Sequence, residues 1–580
     1  MIEGGLTVLA ITIAFAFPSL GECRLSSVER AFQAIAKNRS LSVALIGLLA
    51  ISLRLAILPL CPIPHPFTAN DFSFLLAADT FAHDRLTNPT PAMWTHFETV
   101  HVMMKPTYMS MYFPGPGLVL AAGQVLTGHP WFGLLFVTAL MCAAICWALQ
   151  AWLPPTWALL GGFIAVLRLG LFSYWINTYT GGGSVAALGG ALVIGAFPRL
   201  MHGARLRHGI LLAIGIIILA ISRPYEGMLL CLPVLFVLIR WIYKGKNRPP
   251  AAVLARGAAL PLLLVLTGIA WLGYYNYRVN GSPTTLPYKI DRQTYARAPY
   301  FIWQSELPAH VYRHKQMQRF YSVDELVSYQ LIHNLHGYLP RTLIKVWEAI
   351  IFYAGIALLP LLIMLPMAFR DHRMRFLVAC AIVLIVGSAI EVFFVPEYPS
   401  PFLAALYALA LQAARHMRLW RPGGQPIGKM LIRLLVLTCI VMFGFRLFAN
   451  PLHISFSESQ TTDWIYEWYG PGQFGAPRAR VEAWLEHQPG KQLAIVRYAP
   501  DHDPASEWVY NAADINSSKV IWAWDMGPAQ NAQLIHFYKG RTVWLVQPDK
   551  NPPLVTPYPL PTRLPVSPAT SPAAAQASTP

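Results

Sequence analysis

Charged residues are scarce in this chain. Asp, Glu, Lys and Arg make up 12% of its 580 residues, against about 25% in an ordinary soluble domain. Acids are the scarcer sign, 27 against 44 Lys and Arg. With so little solvating surface and 55% apolar residues, a soluble enzyme, a nucleic-acid-binding module and a disordered scaffold are all excluded. Cysteine is thin as well. None of Cys23, Cys61, Cys142, Cys146, Cys231, Cys380 and Cys439 stands in a CxxC spacing, and most lie in apolar runs. There a thiol acts as a small hydrophobe, so neither a disulfide framework nor a zinc motif is present. No convincing internal repeat is present either. The remaining class is a polytopic α-helical membrane protein.

Apolar stretches that could cross a bilayer fall near residues 41–60, 130–149, 157–172, 184–198, 209–222, 228–243, 257–275, 347–368, 376–396, 401–414 and 430–449. Several are shorter than the ~20 residues of a straight span, and aromatic or basic flanks would extend them. The net charge of +17 then becomes a topology signal. With the segment before residue 41 in the cytoplasm, Arg24, Arg30, Lys37 and Arg39 lie inside. So do Arg199, Arg205 and Arg207, then Lys244, Lys246, Arg248 and Arg256. Arg370, Arg373 and Arg375 follow, and finally Arg415, Arg418, Arg421 and Lys429. Counting the apolar run 115–127 as a span would place the later basic loops outside, so it reads as a re-entrant or interfacial segment.

This parity divides the chain into an N-terminal segment 1–40, a transmembrane domain 41–449 and an outer unit 450–550. Outer loops occupy 61–129 and 276–346. The apolar run 5–20 follows Glu3 instead of a basic region, which argues against a cleaved signal peptide. An extra span, an interfacial helix and an upstream start artefact stay open for it. In the outer unit, 477–488 reads as an amphipathic helix, 493–498, 519–525 and 542–547 as strands, and 531–540 as a helix. The Pro-rich tail 551–580 reads as disordered.

The loop 61–129 carries most of the candidate chemistry. Asp71 opens a short helix just beyond the first span, where scarce water raises a carboxyl pKa and suits a general base. Its plainer role is a helix N-terminal acid. Lys105, in Lys105-Pro106, could meet a lipid-borne phosphate or simply snorkel. Glu98 and His101 stand nearby; His96 and His101 suit loop hydrogen bonding better than metal ligation. Asp79 and Asp84 read as solvated acids. The turn 173–184 is aromatic and Gly-rich, for close ligand approach or for helix packing. Arg223 and Glu226 stand at a span end, either functional or as a structural pair. The same two readings apply to Arg168.

At these residues the chain resembles the GT-C superfamily of membrane glycosyltransferases, in the branch of protein O-mannosyltransferases and lipid A aminoarabinose transferases. The matching pieces are Asn70-Asp71, Lys105-Pro106 with Tyr112-Phe113-Pro114, and Thr178-Tyr179-Thr180, in the family's order over roughly 41–230. Two departures stand out. The first acid of the family's pair is Asn70 here, and Gly183-Ser184 replaces its later Asp-Pro; Glu397, followed by Tyr398, could compensate.

The resemblance implies transfer of a sugar from a polyprenyl-phosphate donor to an envelope glycan, lipid or protein acceptor at the outer face of a bacterial-type inner membrane. It implies a single inverting displacement with Asp71 as base and Lys105, with Arg223, on the departing phosphate. Tyr174, Trp175 and Tyr179 would stack on sugar, while Glu98, His101, Glu226, Glu397 and Tyr398 would contact sugar or acceptor. Tyr288 and Lys289 would shape the acceptor side. No metal or other cofactor is required, though a divalent ion on Glu98 and His101 stays open. The competing reading is a non-catalytic membrane protein, a transporter or an assembly partner in envelope polysaccharide export. A transporter should show pseudo-repeats and paired broken helices at the midplane, and the sequence shows neither.

Overall fold

Apolar runs bury their backbone polar groups best as helices, and all eleven predicted stretches overlap helices in the computed structural model. The structure describes residues 1–180, 182–203, 205–244, 250–449, 451–454 and 474–559. Among the described residues, six helices are long and apolar enough to cross a membrane: Arg39–Ala56, Trp131–Leu149, Gly182–Gly203, Pro224–Lys244, Ala252–Asn280 and Ile427–Leu447. The predicted span 347–368 falls on a broken pair, His336–Ala354 and Ile356–Arg370, bent by 110°. Four more predicted spans fall on the shorter helices Pro155–Gly170, Leu206–Ser222, Arg375–Ile390 and Leu403–Leu419. Where eleven spans are expected, six helices therefore meet the length, or seven with the bent pair. Three of the shorter helices meet Pro154-Pro155, Arg205 and Arg223, or Glu391 at an end, where a proline or a charge cuts the apolar run. Residues 115–127 form a 14-residue helix, Pro114–Thr127, packed between Ala69–Ala82 and Trp131–Leu149.

The apolar run 5–20 forms helix Ile2–Ala16, packed along Ile427–Leu447. Its Glu3 Oε1 accepts hydrogen bonds from Arg168 Nη1 at 3.0 Å and Ala357 N at 3.2 Å. Arg168 sits in a π-helical turn, Val166–Gly170, and donates a second bond to Ile351 O at 3.2 Å. Gly355, at φ 66°, lies at the break of the bent pair, and a Cβ there would lie 2.2 Å from the Arg168 guanidinium. The kink therefore needs glycine twice over, for its conformation and for its missing side chain. Arg168 is a structural pairing residue.

Helix Glu22–Lys37 carries acids that meet the basic far end of the bundle. Glu22 accepts from Lys429 at 2.5 Å and Arg433 at 2.6 Å, and Glu29 accepts from Arg418 at 2.8 and 2.9 Å and Arg433 at 2.9 Å. The hydrogen bonds from Lys429 and Arg433 hold the Glu22 carboxyl down at about 2. A depressed carboxyl stabilises the folded state above its unfolded value of 4.5 and loses that contribution as the pH falls toward 2. Limited proteolysis in detergent should accordingly cut the 17–38 region faster at pH 3.5 than at pH 6, and Glu22→Gln should remove much of the difference.

The C-terminal α/β region is a four-stranded sheet of order β4-β3-β5-β6. β3 is Gln492–Val496, β4 Val520–Trp524, β5 Thr542–Gln547 and β6 Leu554–Pro557; a separate hairpin, β1 (Val102–Met103) with β2 (Met109–Ser110), lies in the 61–129 loop. β3 pairs parallel with β4 and β5, with Leu493 opposite Ile521 and Val543, while β6 returns antiparallel to β5. β3 and β4 are buried along their whole length, as the apolar runs Leu493–Val496 and Val520–Trp524 require. Strand β6 falls inside the range expected to be disordered. There Val555 and Thr556 pair with Val546 and Leu545, which settles four residues of that range into the sheet. Residues 560–580 and 455–473 lie outside the described residues, as do Lys246 and Arg248.

The two faces of the sheet are closed differently. Leu485 from helix Ala476–His487 packs on one face with Val496, Trp508 and Trp522. The other face meets Leu534 from helix Pro528–Phe537 together with Leu76, Phe97, Val102, Met104 and Tyr108 from the 61–129 loop. Loop and domain thus share one core.

Candidate active site

Asp71 is fully buried, and its carboxylate is already occupied. Thr68 and Asp71 form a capping box at the start of helix Ala69–Ala82: Asp71 N donates to Thr68 Oγ1 at 3.1 Å, and Thr68 N donates back to Asp71 Oδ2 at 3.2 Å. Phe67 N donates to the same oxygen at 3.2 Å, and Tyr179 N donates to Oδ1 at 2.8 Å. Burial pushes the Asp71 carboxyl up, against the pull of these N–H donors. A carboxylate with three backbone donors and no exposed surface ties the 64–71 segment to the 174–180 turn. Both of its oxygens are thus engaged by backbone N–H groups, a geometry that suits a structural role.

The aromatic turn is core as well. Trp175 packs on Phe352 and Tyr353, and a Cβ on Gly183 would lie 2.1 Å from its ring, so that glycine serves packing. Tyr179 donates its hydroxyl to Pro64 O at 3.0 Å. Tyr174 is 2% exposed, and its hydroxyl lies 3.5 Å from Glu397 Oε2. None of the three rings presents a face to a sugar. Asp79 is likewise no free solvated acid, since it accepts from Ala513 N at 2.8 Å and Gln124 at 3.2 Å.

Two polar clusters remain. In the first, Arg223 is ion-paired with Glu397, lies 3.9 Å from Glu226 and stacks 4.4 Å over the Tyr398 ring. This cluster joins four predicted site residues from the 222–227 and 396–401 segments. Phe394 and Pro399, flanking Glu397 and Tyr398, line an apolar cavity of about 280 Å³ that also contacts Tyr353, Leu384 and Leu435. Lys345 reaches this cavity while donating to Ser388 O at 3.0 Å and to Glu391 O.

The second cluster lines a polar cavity of about 200 Å³ bounded by Trp94, Glu98, Lys105, Asp291, Tyr295 and Arg313, among others. Glu98, 2% exposed, accepts from Tyr295 at 3.0 Å and Arg313 at 3.3 Å, and burial pushes its carboxyl up despite Arg313. His314 Nε2 lies 3.6 Å from Glu98 and 2.9 Å from Thr95 O, to which it donates; burial lowers it to about 4, so it is neutral. Lys105 belongs to this cluster and not to that of Arg223, contrary to the expectation that both meet one phosphate.

Sequence reasoning missed Asp291. It lies on helix Pro287–Tyr295, fully buried, with Oδ2 3.4 Å from the Tyr321 hydroxyl and Oδ1 without a hydrogen-bond partner among the described residues. Burial pushes its carboxyl up to about 7, with Glu325 reinforcing the rise and Arg292 opposing it. Tyr288, Asp291 and Tyr295 recur at i, i+3 and i+7. That spacing sets an acid on the inward aromatic face of an amphipathic helix, a legible signal.

His101 and Asn70 form a further polar group with Tyr112 and Tyr321. His101 adopts φ 64°, costly for a residue with a Cβ. Its Nδ1 lies 2.5 Å from Asn70 Oδ1 and 3.1 Å from the Tyr112 hydroxyl, and its N–H donates to the Tyr321 hydroxyl at 3.2 Å. Burial lowers His101 to about 3, so it is neutral. Tyr112 faces Tyr288 at 6.4 Å, and Tyr288 stacks on Tyr300 at 4.6 Å, forming an aromatic wall near Asp291. Lys289 is exposed. Glu98 and His101 do not share a ligand site, and among the described residues no three His, Cys, Asp or Glu side chains gather for a metal.

The C-terminal region grips the loop at Glu98. Trp524 Nε1 donates to Glu98 O at 2.5 Å, and Thr99 Oγ1 donates to the buried Glu507 carboxylate. Trp524→Ala removes that donor and a large buried ring, which should cost about 3–5 kcal/mol. The unfolding temperature in detergent should fall accordingly, with hydrogen exchange rising at 96–104.

These features define a helical chain with six helices long and apolar enough to cross a membrane among its described residues, and a polar cavity whose Glu98 wall is held by a small α/β domain. No protein-family profile and no curated protein sequence matches the chain. Among solved structures it is similar to ArnT from Cupriavidus metallidurans in the apo state, at 12% identity over 86% of this chain and 92% of that one, TM-score 0.47. It is also similar to the oligosaccharyltransferase AglB from Archaeoglobus fulgidus in complex with an inhibitory peptide and a dolichol-phosphate. There the identity is 10% over 88% of this chain and 70% of that one, TM-score 0.45. Against the apo form of the archaeal enzyme the values are 11%, 79%, 62% and 0.45, so the chain spans about three fifths of that length.

Proposed function

We propose that the chain is a membrane glycosyltransferase that moves a sugar from a polyprenyl-phosphate donor to an acceptor hydroxyl by a single inverting displacement. The observation that carries this reading is Asp291, a buried carboxylate with one unpartnered oxygen on the wall of a polar cavity. A carboxyl balanced near neutral pH in such a place suits proton abstraction from a hydroxyl. The apolar cavity takes part of the lipid chain, and Arg223, paired with Glu397 between the lining residues Phe394 and Pro399, meets the phosphate. The acceptor oxygen gives its proton to Asp291 and bonds to the anomeric carbon as the bond from that carbon to the phosphate oxygen breaks. Charge then develops on the departing lipid phosphate, where Arg223 stabilises it. Glu397 holds Arg223 in place until the phosphate arrives.

The test is release of free polyprenyl phosphate by purified protein given a panel of polyprenyl-phosphate monosaccharides with mixed envelope glycans. Release by the wild type that disappears in Asp291→Asn supports the reading. Undiminished release in that variant removes Asp291 as base. Absence of release from every donor by folded wild type sinks the transferase itself.

A further inference from the structure

The 200 Å³ cavity is polarised. Its carboxylates lie at the bottom, with Glu98 2% and Asp291 0% exposed. Its cations lie at the mouth, where Lys105 is exposed and the Arg313 side chain is 47% exposed. Both cations sit on one indole: Lys105 Nζ is 4.4 Å and the Arg313 guanidinium 4.7 Å from the centroid of the Trp94 ring. Indole attracts each cation, but holding two like charges over one ring sets them against each other. Glu98 meets Arg313 from below, and no ion pair joins a carboxylate to Lys105 among the described residues. The mouth therefore carries two cations, held by an aromatic platform, against the single carboxylate of Glu98 beneath them, while the floor holds a proton acceptor. The volume is below the about 300–1,000 Å³ of drug-sized ligand sites and fits one sugar unit.

We infer that this cavity is a subsite for an acidic sugar unit of the acceptor, with its anionic group between Lys105 and Arg313 and a hydroxyl directed to the floor. The inference rests on the transferase reading for the word acceptor, but the binding site stands or falls by itself. An anion at the mouth relieves the repulsion between the cations and fixes which end of the sugar enters first. A neutral sugar gains neither effect. Lys105 is thereby assigned to the acceptor, and Arg223 is left as the cation for the donor.

Calorimetric titration of the full-length protein in detergent, without donor, tests this directly. The probes are a galacturonate trimer, the same trimer as its methyl ester, and a hexose 6-phosphate. The galacturonate should bind at least tenfold more tightly than the ester, with affinity falling as salt rises. Lys105→Ala and Arg313→Ala should each weaken it about tenfold; Lys105→Arg should restore most of the loss. Preferred binding of the hexose phosphate, with the same response to both variants, supports the site with phosphate as the anion. Equal binding of the ester and the acid, or no binding of any probe by folded protein, overturns it. Transfer that fails while galacturonate still binds would instead count against the catalytic reading alone.

Discussion

Replacing Asp291 by asparagine should lower sugar transfer by about 10²–10⁴-fold, the usual contribution of a general base, with no loss of thermal stability. The stability half follows from the geometry. Oδ1 has no partner and Oδ2 only a 3.4 Å approach from the Tyr321 hydroxyl, so an amide of the same shape loses almost nothing. A carboxyl raised to about 7 also opposes folding once ionised. Its effect on stability is most favourable below its unfolded pKa near 4 and worsens as the pH rises through 7. The asparagine variant should therefore gain relative stability at pH 8 compared with pH 5. Activity runs the other way. Only the ionised form accepts a proton, so wild-type transfer should rise with pH and reach half its limit near pH 7. Donor-saturated initial rates from pH 5.5 to 8.5 measure this, and a flat profile would remove Asp291 from the reaction.

Asp71→Ala should have the opposite signature, a protein that fails to hold its fold. Removing the carboxylate leaves the amides of Phe67, Thr68 and Tyr179 without their acceptor in a buried site. At about 1–3 kcal/mol for each orphaned donor, the loss is on the order of several kcal/mol, a large part of a typical margin. Asp71→Asn keeps one acceptor oxygen but points an NH₂ at an N–H, so it should recover only part. Size-exclusion profiles and melting curves in detergent separate the outcomes. A well-folded Asp71→Ala protein with no activity would restore Asp71 as the base.

The contrast between these two aspartates marks how far the sequence could be read. The apolar runs, the helix at 477–488 and the strands around 493–498, 519–525 and 542–547 are legible because periodicity and burial are local properties. Thr68-Ala-Asn-Asp71 spells a capping box, so the structural role of Asp71 was within reach of a local rule. Asp291 was harder. Its value depends on Tyr321, Arg292 and Glu325 enclosing it and on Lys105 and Trp94 sharing its cavity, and those contacts join segments far apart in the chain. Trp175 misleads for the same reason. An aromatic, Gly-rich turn looks alike whether its ring faces a sugar or Phe352.

The ion pairs of helix Glu22–Lys37 bear on how the protein is made. Glu22 and Glu29 meet Lys429, Arg433 and Arg418, which lie 389 to 411 residues further along the chain. At about 5–20 residues per second, the amino-terminal acids wait roughly 20–80 s for their partners to leave the ribosome. Through that interval, helix Ile2–Ala16 also lacks the Ile427–Leu447 helix against which it finally packs. Helices Ile2–Ala16 and Glu22–Lys37 thus emerge long before the segments that fasten them. A nascent chain halted before residue 418 should carry a loose amino terminus, open to insertion factors and to proteases alike.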